Sequence, residues 1–354
     1  MDMIYLDNII FSLQKSGGIS VVWYNIVKKI ITENNIAFEC LEYPNAISNI
    51  FREGIDLPTN KISIRKQFML PVSRYLPVLL KNRKKKFVFH SSYYRYCLNK
   101  NAKNITTVHD FTYEYFSSGL KKKIHCLQKY RAIRHSDIIV CISENTKRDL
   151  LKFLPDIDRN KIRVVFNGVS DDYYPMEARI KELADYVLFV GARGGYKNFR
   201  FVVEALKNTP FKLAVCGKPL SLEEQQLIDS TLGQSRCKVF ENVDNRELNL
   251  IYNSVYCLAY PSSYEGFGIP VLEAQRAGCP VIALNKSSIP EIIGETPLLM
   301  KELDKDSFIE KLHILKDIHT RDKIVKSGLE NSRRFSWNKM ADEYLVIYRD
   351  LLEK

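Results

Sequence analysis

Two spacings of apolar residues alternate along this chain. Short runs rich in Val, Ile, Phe and Tyr have strand length, and between them apolar residues recur every three or four positions, as on one face of a helix. In the first half, Ile4–Leu6, Ala37–Tyr43, Phe87–Ser91, Ile105–Val108, Asp137–Ile142 and Ile162–Phe166 are expected as strands. Ile19–Ile31, Leu120–His135 and Glu144–Phe153 are expected as helices. Residues 44–86 are less regular and mix prolines, aromatics and cations, as in Phe68-Met69-Leu70-Pro71 and Tyr75-Leu76-Pro77. A partly exposed apolar–basic element there would suit a membrane surface. Asn167–Pro175 has turn residues and no period, which places the linker between two domains. The second half starts afresh, with strands expected at Tyr186–Val190, Lys212–Cys216, Lys238–Asn242, Val255–Tyr260 and Pro280–Leu284. Helices are expected at Asn198–Lys207, Leu222–Leu232, Arg246–Asn253 and Ile269–Ala277. Such alternation predicts α/β layers with parallel sheets, and a ligand between the halves outside the carboxyl ends of the strands. At the end of the chain, Ser336 is a candidate N-cap. Trp337, Met340, Ala341, Tyr344, Leu345, Tyr348 and Leu352 form an apolar stripe on a helix that packs on the second domain or crosses back to the first.

A length of 354 residues with 45% hydrophobic composition suits two domains. No apolar run approaches the roughly 18 residues of a spanning helix, and the N-terminus lacks the pattern of a signal peptide. The eight cysteines include no C-x-x-C pair and several sit in strand-like runs, which suits buried thiols in a cytoplasmic protein. Six scattered histidines have no metal-ligand spacing, so no metal is expected. The net charge of +12 falls entirely within residues 1–175, densest at Lys81–Lys86 and Lys121–Lys123. Such runs are solvated surface, or they attract an anionic membrane. No motif supports nucleic acid, and none is expected as a partner.

The most informative stretch runs from Ser262 to Gly278, where an apolar strand ends at Pro261 and a helix opens at Pro270. Gly266 and Gly268 allow close backbone approach, and a helix N-terminus there would attract phosphate. Glu265 before the helix and Glu273 within it flank that anion site, and carboxylates accept hydrogen bonds from hydroxyls. Either this is an ordinary strand–helix turn with two surface glutamates, or the ligand has a negative middle and hydroxyl-bearing ends, as a nucleotide sugar does. A second stretch, Gly191-Ala192-Arg193-Gly194-Gly195-Tyr196-Lys197-Asn198, carries two cations at a strand's carboxyl end. Arg193 and Lys197 are solvated there, or they neutralise a diphosphate. Its spacing fits neither a dinucleotide fingerprint nor a P-loop, which argues against a dehydrogenase and an ATPase. Gly17-Gly18 is another glycine turn before a helix. His109 ends a strand and is either structural or placed to meet a sugar hydroxyl. His90, Tyr93, Tyr94 and Arg95 lie at the end of another strand and are candidates for the acceptor side. Asp156-Ile157-Asp158 reads as a turn or cap, and no Ser-His-Asp or Cys-His arrangement supports covalent acyl chemistry.

Together with Ser143-Glu144-Asn145-Thr146, Phe166-Asn167-Gly168-Val169 and Phe335-Ser336-Trp337, these motifs resemble the GT-B glycosyltransferases, specifically the large retaining family numbered four, over most of the chain. The resemblance implies two Rossmann-like domains facing across a cleft. Residues 1–170 would bind the acceptor and 171–335 the nucleotide sugar, with helix 336–354 returning to the first domain. It implies Glu273 on the ribose hydroxyls, and Glu265 on the transferred sugar beside Phe267 and Gly268. Arg193 and Lys197 would meet the diphosphate, His109 the donor sugar, and Gly17 and Gly18 would let the first domain close over the phosphates. Gly191 and Gly266 belong to the same donor-binding set, and Val243 lies in the loop expected to read the base. Many relatives carry Arg directly after the first strand's glycine, whereas Ala192 intervenes here. The expected activity is metal-free, retaining transfer of a hexose from a GDP- or UDP-linked donor to a glycan, lipid-linked, in surface polysaccharide assembly, with no cofactor. It would run at the cytoplasmic face of an anionic membrane. Epimerisation, phosphorolysis and non-catalytic binding of a nucleotide sugar or nucleic acid are the alternatives.

Overall fold

A computed structural model describes residues 3–33, 35–65 and 70–353; Phe68 and Met69 of the apolar–basic stretch lie outside the described residues. The chain divides into two compact units, Met1–Gly168 with Trp337–Lys354, and Val169–Ser336.

The first unit is built on seven strands, β1 (Met3–Asp7), β2 (Ala37–Glu42), β3 (Ile62–Ile64), β4 (Phe87–Ser91), β5 (Ala102–Val108), β6 (Ile138–Cys141) and β7 (Ile162–Val164). They pair in parallel in the order β3-β2-β1-β4-β5-β6-β7. The second unit has β8 (Tyr186–Val190), β9 (Lys212–Gly217), β10 (Cys237–Glu241), β11 (Cys257–Tyr260), β12 (Val281–Leu284) and β13 (Leu299–Met300). Their order, again parallel, is β10-β9-β8-β11-β12-β13. Both sheets are Rossmann-like, and the architecture is GT-B. Central strands such as β4 and β11 are buried along their whole length, because helices cover both faces of a parallel sheet.

Several elements have no counterpart among those expected from periodicity. Among them are helices Lys305–Ile314 and Ile318–Ser332, each opened by an aspartate cap. Asp304 accepts from the Ser307 N–H at 2.7 Å and Asp317 from the Thr320 N–H at 2.8 Å. The run at Val255 starts as a strand only at Cys257, because the Val255 N–H still closes the preceding helix onto Ile251.

The last helix, Trp337–Glu353, packs on the first unit. It buries Met340, Tyr344, Leu345, Tyr348 and Leu351 in the core formed by Val22, Trp23, Ile26, Val27 and Ile30 of helix Gly18–Thr32. Burying each large apolar side chain contributes about 1.5–3 kcal/mol. All eight cysteines are free thiols, six of them buried.

Candidate functional site

In the second sheet the strand order changes direction between β8 and β11, and sheets of this kind bind ligands outside the carboxyl ends of the strands at such a point. The loops at that point are 191–198 and 261–268, and they are bonded together. The Asn198 amide donates to the Pro261 carbonyl at 2.7 Å and to the Ser263 hydroxyl at 2.8 Å. The Ser263 N–H donates to the Tyr196 carbonyl at 2.8 Å. Asn198 itself is left-handed, with φ 55°, a conformation asparagine tolerates better than most residues.

This bracing brings Lys197 to Glu265. Lys197 Nζ lies 2.5 Å from Glu265 Oε1, and 5.6 Å from the centroid of the Tyr260 ring. The Glu265 loop is held from behind. Its N–H donates to the Ser287 hydroxyl at 2.8 Å, and the Ser288 hydroxyl lies 2.9 Å from the carbonyl oxygens of both Glu265 and Phe267. Gly266 and Phe267 continue into Gly268, which has φ 105° and would place a Cβ 2.9 Å from Ile289 Cδ1. Glycine is therefore required at the mouth of helix Ile269–Arg276. Pro270 falls in that helix's first turn.

Glu273, on the same helix, accepts from the Tyr252 hydroxyl at 3.2 Å. Burial raises its carboxyl to about 7, against the opposing hydrogen bonds of Tyr252 and Tyr173. Near neutral pH it is poised between an acid and a two-oxygen acceptor. The buried Tyr260 hydroxyl is raised by burial and then by Glu265 and Glu273, so both carboxylates act on one ring.

The other donor-side candidates lie differently. Gly191 has φ 100°, and a Cβ on Gly217 would come 3.0 Å from the Gly191 carbonyl, so the exits of β8 and β9 touch through glycine. Arg193 does not share the Lys197 environment. Its Nη2 donates to the Pro219 carbonyl at 2.7 Å, its Nε lies 3.0 Å from Glu224 Oε1, and its side chain is only 6% exposed. Those partners compete with the diphosphate role expected of it. Val243 is half-buried beyond β10, the edge strand two places out from β8, just before the Asp244 cap of helix Asn245–Ser254.

In the first unit the strand order reverses between β1 and β4. Gly17 precedes helix Gly18–Thr32 near that point, and Gly18 is exposed, with open space where a Cβ would go. Gln14 and Asn49 both bond the Ser20 hydroxyl, at 2.6 and 3.0 Å, and so fix the turn. His109 follows β5. Burial pushes its imidazole down to about 4, with Asp110 opposing and Lys129 reinforcing the shift, so it is neutral at pH 7. Three of the four acceptor-side candidates are interior. His90 is fully buried, with Nδ1 at 2.7 Å from the Tyr348 hydroxyl and Nε2 at 3.0 Å from the Thr107 hydroxyl. Arg95 is buried against Asp7 at 3.3 Å and the Tyr43 hydroxyl at 2.7 Å. Tyr94 is buried as well. These three side chains are used up by the fold, because β4 is central and its exit is covered; Tyr93 alone of the four is half-exposed.

Residues 174–330 match the family described as Glycosyl transferases group 1, and residues 16–173 match Glycosyltransferase Family 4. The chain belongs to this glycosyltransferase family. Among curated relatives, an O-antigen chain mannosyltransferase B of Escherichia coli is 24% identical over 250 residues, covering 65% of each protein. The O-antigen chain mannosyltransferase RfbU of Salmonella typhimurium is 25% identical over 220 residues, covering 60% of this chain and 61% of that protein. The chain thus spans under two-thirds of the length of these relatives. Two solved structures share the fold, each with a TM-score of 0.74. They are a sucrose-phosphate synthase from Thermosynechococcus elongatus, at 17% identity over the full length of both, and Anabaena HepE in complex with UDP and glucose, at 13% identity over 99% and 100%.

Several side chains around these loops gave no sequence signal. Tyr173 sits in the stretch read as a linker, and Tyr252 on a helix face that reads as core. Ser287 and Ser288 read as an ordinary turn, and Glu224 as part of the capping box with Ser221. The Ser221-x-x-Glu224 spacing signals a capping box, and nothing local signals that Glu224 also meets Arg193.

Proposed function

We propose that this glycosyltransferase moves a hexose of mannose or glucose type from a GDP- or UDP-linked donor to a lipid-linked glycan acceptor. The transfer retains configuration, needs no metal ion or cofactor, serves surface polysaccharide assembly and runs at the cytoplasmic face of an anionic membrane. The second unit binds the donor and the first unit the acceptor. The observation that carries the reading is the Lys197–Glu265 contact at the switch point, on the same sheet edge as the tyrosine-held Glu273. A cation for phosphate and two acceptors for hydroxyls match the charged middle and hydroxyl-bearing ends of a nucleotide diphosphate sugar, and the glycine spacing fits neither a dinucleotide fingerprint nor a P-loop. The O-antigen mannosyltransferases and the UDP- and glucose-bound HepE structure support the choice of substrates.

In the reaction the bond between the sugar's anomeric carbon and the diphosphate oxygen breaks, and a bond to the acceptor oxygen forms. The nucleoside diphosphate leaves with the electron pair, and its departing oxygen takes up the proton that the acceptor hydroxyl gives up. Lys197 stabilises the charge that grows on that diphosphate. When donor binds, its ammonium shifts from Glu265 towards phosphate, and Glu265 turns to the sugar hydroxyls. Glu273 accepts from the ribose hydroxyls. His109, neutral, exchanges hydrogen bonds with a sugar hydroxyl and carries no charge to the reaction. Gly17, Gly18 and Gly191 leave room for phosphate oxygens.

A thermal-shift screen of nucleotide diphosphates and their sugars tests the donor. A donor at about 100 times its dissociation constant adds about 2.7 kcal/mol of stability. A product assay then tests the chemistry, since free nucleoside diphosphate together with a new glycosidic bond is required. Uptake of inorganic phosphate with formation of a sugar 1-phosphate, an epimerised donor or no product at all overturns transfer, and loss of activity with a chelator overturns the metal-free clause.

A further inference from the structure

Helix Gly119–Arg134 of the first unit has an unusual outer face. Leu120, Ile124 and Leu127 recur at helical spacing and are 71%, 41% and 53% exposed. On that face they are joined by Lys123 and Arg131, with Lys121 at its margin, all exposed. The helix contains no acidic residue. Its inner side is buried, with Ala132 and Ile133 beside Gln128 and a Lys129 that is paired to Glu114 at 2.8 Å. Exposed Tyr115 and Phe116 precede it. The Gln128 amide donates to the Arg74 carbonyl at 2.7 Å, which packs segment 70–80 beside the helix, and that segment exposes Val72, Tyr75, Leu76 and Leu79.

An exposed stripe of leucine-type residues gains nothing from water, and a cationic rim repels a basic protein surface. A phase with an apolar interior and an anionic surface satisfies both. We propose that the outer face of helix Gly119–Arg134, with segment 70–80 beside it, is the surface on which this protein rests on an anionic bilayer. The proposal refines the membrane clause of the proposed function by naming the face. Leu120, Ile124 and Leu127 enter the headgroup–acyl boundary, and Lys121, Lys123 and Arg131 lie among the anionic headgroups. A chain seated in this way meets a lipid-linked acceptor by diffusion in two dimensions.

The test uses the full chain with vesicles of phosphatidylglycerol and phosphatidylcholine, read by co-sedimentation, with donor binding followed separately by thermal shift. Binding to the phosphatidylglycerol vesicles, weakened by salt and absent from pure phosphatidylcholine, is expected. The variant Lys121→Gln/Lys123→Gln/Arg131→Gln should lower the partition coefficient on the order of a hundredfold, because each cation near the surface is worth about a fivefold change. The variant Leu120→Gln/Ile124→Gln/Leu127→Gln should lower it at least as far at high salt, where the apolar term dominates. Both sets of side chains are solvent-exposed, so the thermal shift with donor nucleotide should stay at the parent value. No vesicle binding by the parent chain, or unchanged binding by both variants, overturns the proposal. So does a dimer in sedimentation equilibrium that the leucine-to-glutamine variant dissociates, since the face would then join two copies of this chain. Failure of donor binding with vesicle binding intact would strike the donor reading alone.

Discussion

Lys197 Nζ and Glu265 Oε1 lie 2.5 Å apart although 68 residues separate them in sequence. A cation held by a carboxylate in an unliganded site is a stored charge. The two side chains are only 18% and 11% exposed, so each charge offsets the other's desolvation, and the lysine is released when a phosphate competes for it. Lys197→Ala should lower kcat by about 100- to 1,000-fold, the usual loss on removing one group that stabilises transition-state charge. Glu265→Gln should raise the donor's KM and lower kcat by a smaller factor. Steady-state kinetics on the purified chain check both, and a Lys197→Ala variant with parent-like kcat would remove the lysine from the mechanism.

Glu273 and the histidines His90 and His109 predict opposite pH responses in the two units. The Glu273 carboxyl, at about 7 in the folded chain against an ordinary 4.5, contributes stability that is fully present below 4.5 and lost as pH rises through 7. At about 1.36 kcal/mol per pKa unit, the loss is at most about 3 kcal/mol. His90 and His109, lowered by burial to about 3 and 4, contribute stability that is present above 6.5 and lost as pH falls through those values. Hydrogen exchange at pH 5.0 and 7.5 should therefore show β8 and β11 better protected at the lower pH and β4 and β5 at the higher.

Donor affinity should follow Glu273 in the other direction. Ribose hydroxyls donate to the carboxylate, so binding releases a proton below pH 7, and the dissociation constant rises towards tenfold for each pH unit below it. Glu273→Gln should remove this dependence, stabilise the unliganded protein at pH 8 and weaken the donor. Isothermal titration in buffers of differing ionisation enthalpy measures the released proton directly.

Arg193 and Glu224 separate two roles for one residue. The observed ion pair and the Pro219 bond make Arg193 a brace that holds the Gly191–Asn198 loop against the start of helix Leu222–Thr231. A brace predicts that Arg193→Ala and Glu224→Ala each lower kcat about tenfold, and that the double variant is no worse than either single one. A direct diphosphate contact predicts instead a loss at Arg193→Ala like that of Lys197→Ala, with Glu224→Ala near the parent rate.

Tyr348→Phe tests how the last helix is secured. It removes the hydroxyl bonded to buried His90 and leaves the ring in place, so a loss of about 1–3 kcal/mol is expected in the unfolding of the first unit, the usual cost of an unpaired buried polar group. The urea midpoint of a probe in that unit, such as the fluorescence of Trp23, should shift while donor binding does not.

The sequence alone determined the alternation of strand and helix, the parallel sheets, and the glycine-bearing loops that end β8 and β11, because each of these is a local pattern of spacing and turn residues. It also picked out Glu265, Glu273 and Lys197 as a group. Tertiary structure alone decided how such candidates are used. Lys197 and Arg193 are four residues apart in one loop, yet one faces Glu265 and the other Glu224, since the direction of each side chain depends on which strand lies next door. His90 reads as a loop-side polar residue but is enclosed by Tyr348, which lies 258 residues away in sequence. Glu273 owes its raised carboxyl to burial beside Tyr252 and Tyr173, contacts that arise only when the linker folds against the second sheet. The outer stripe of helix Gly119–Arg134 was periodic in sequence, but only the packed fold shows that Leu120, Ile124 and Leu127 face away from the core. Periodicity reports that a helix has an apolar side; what that side meets is settled by long-range packing.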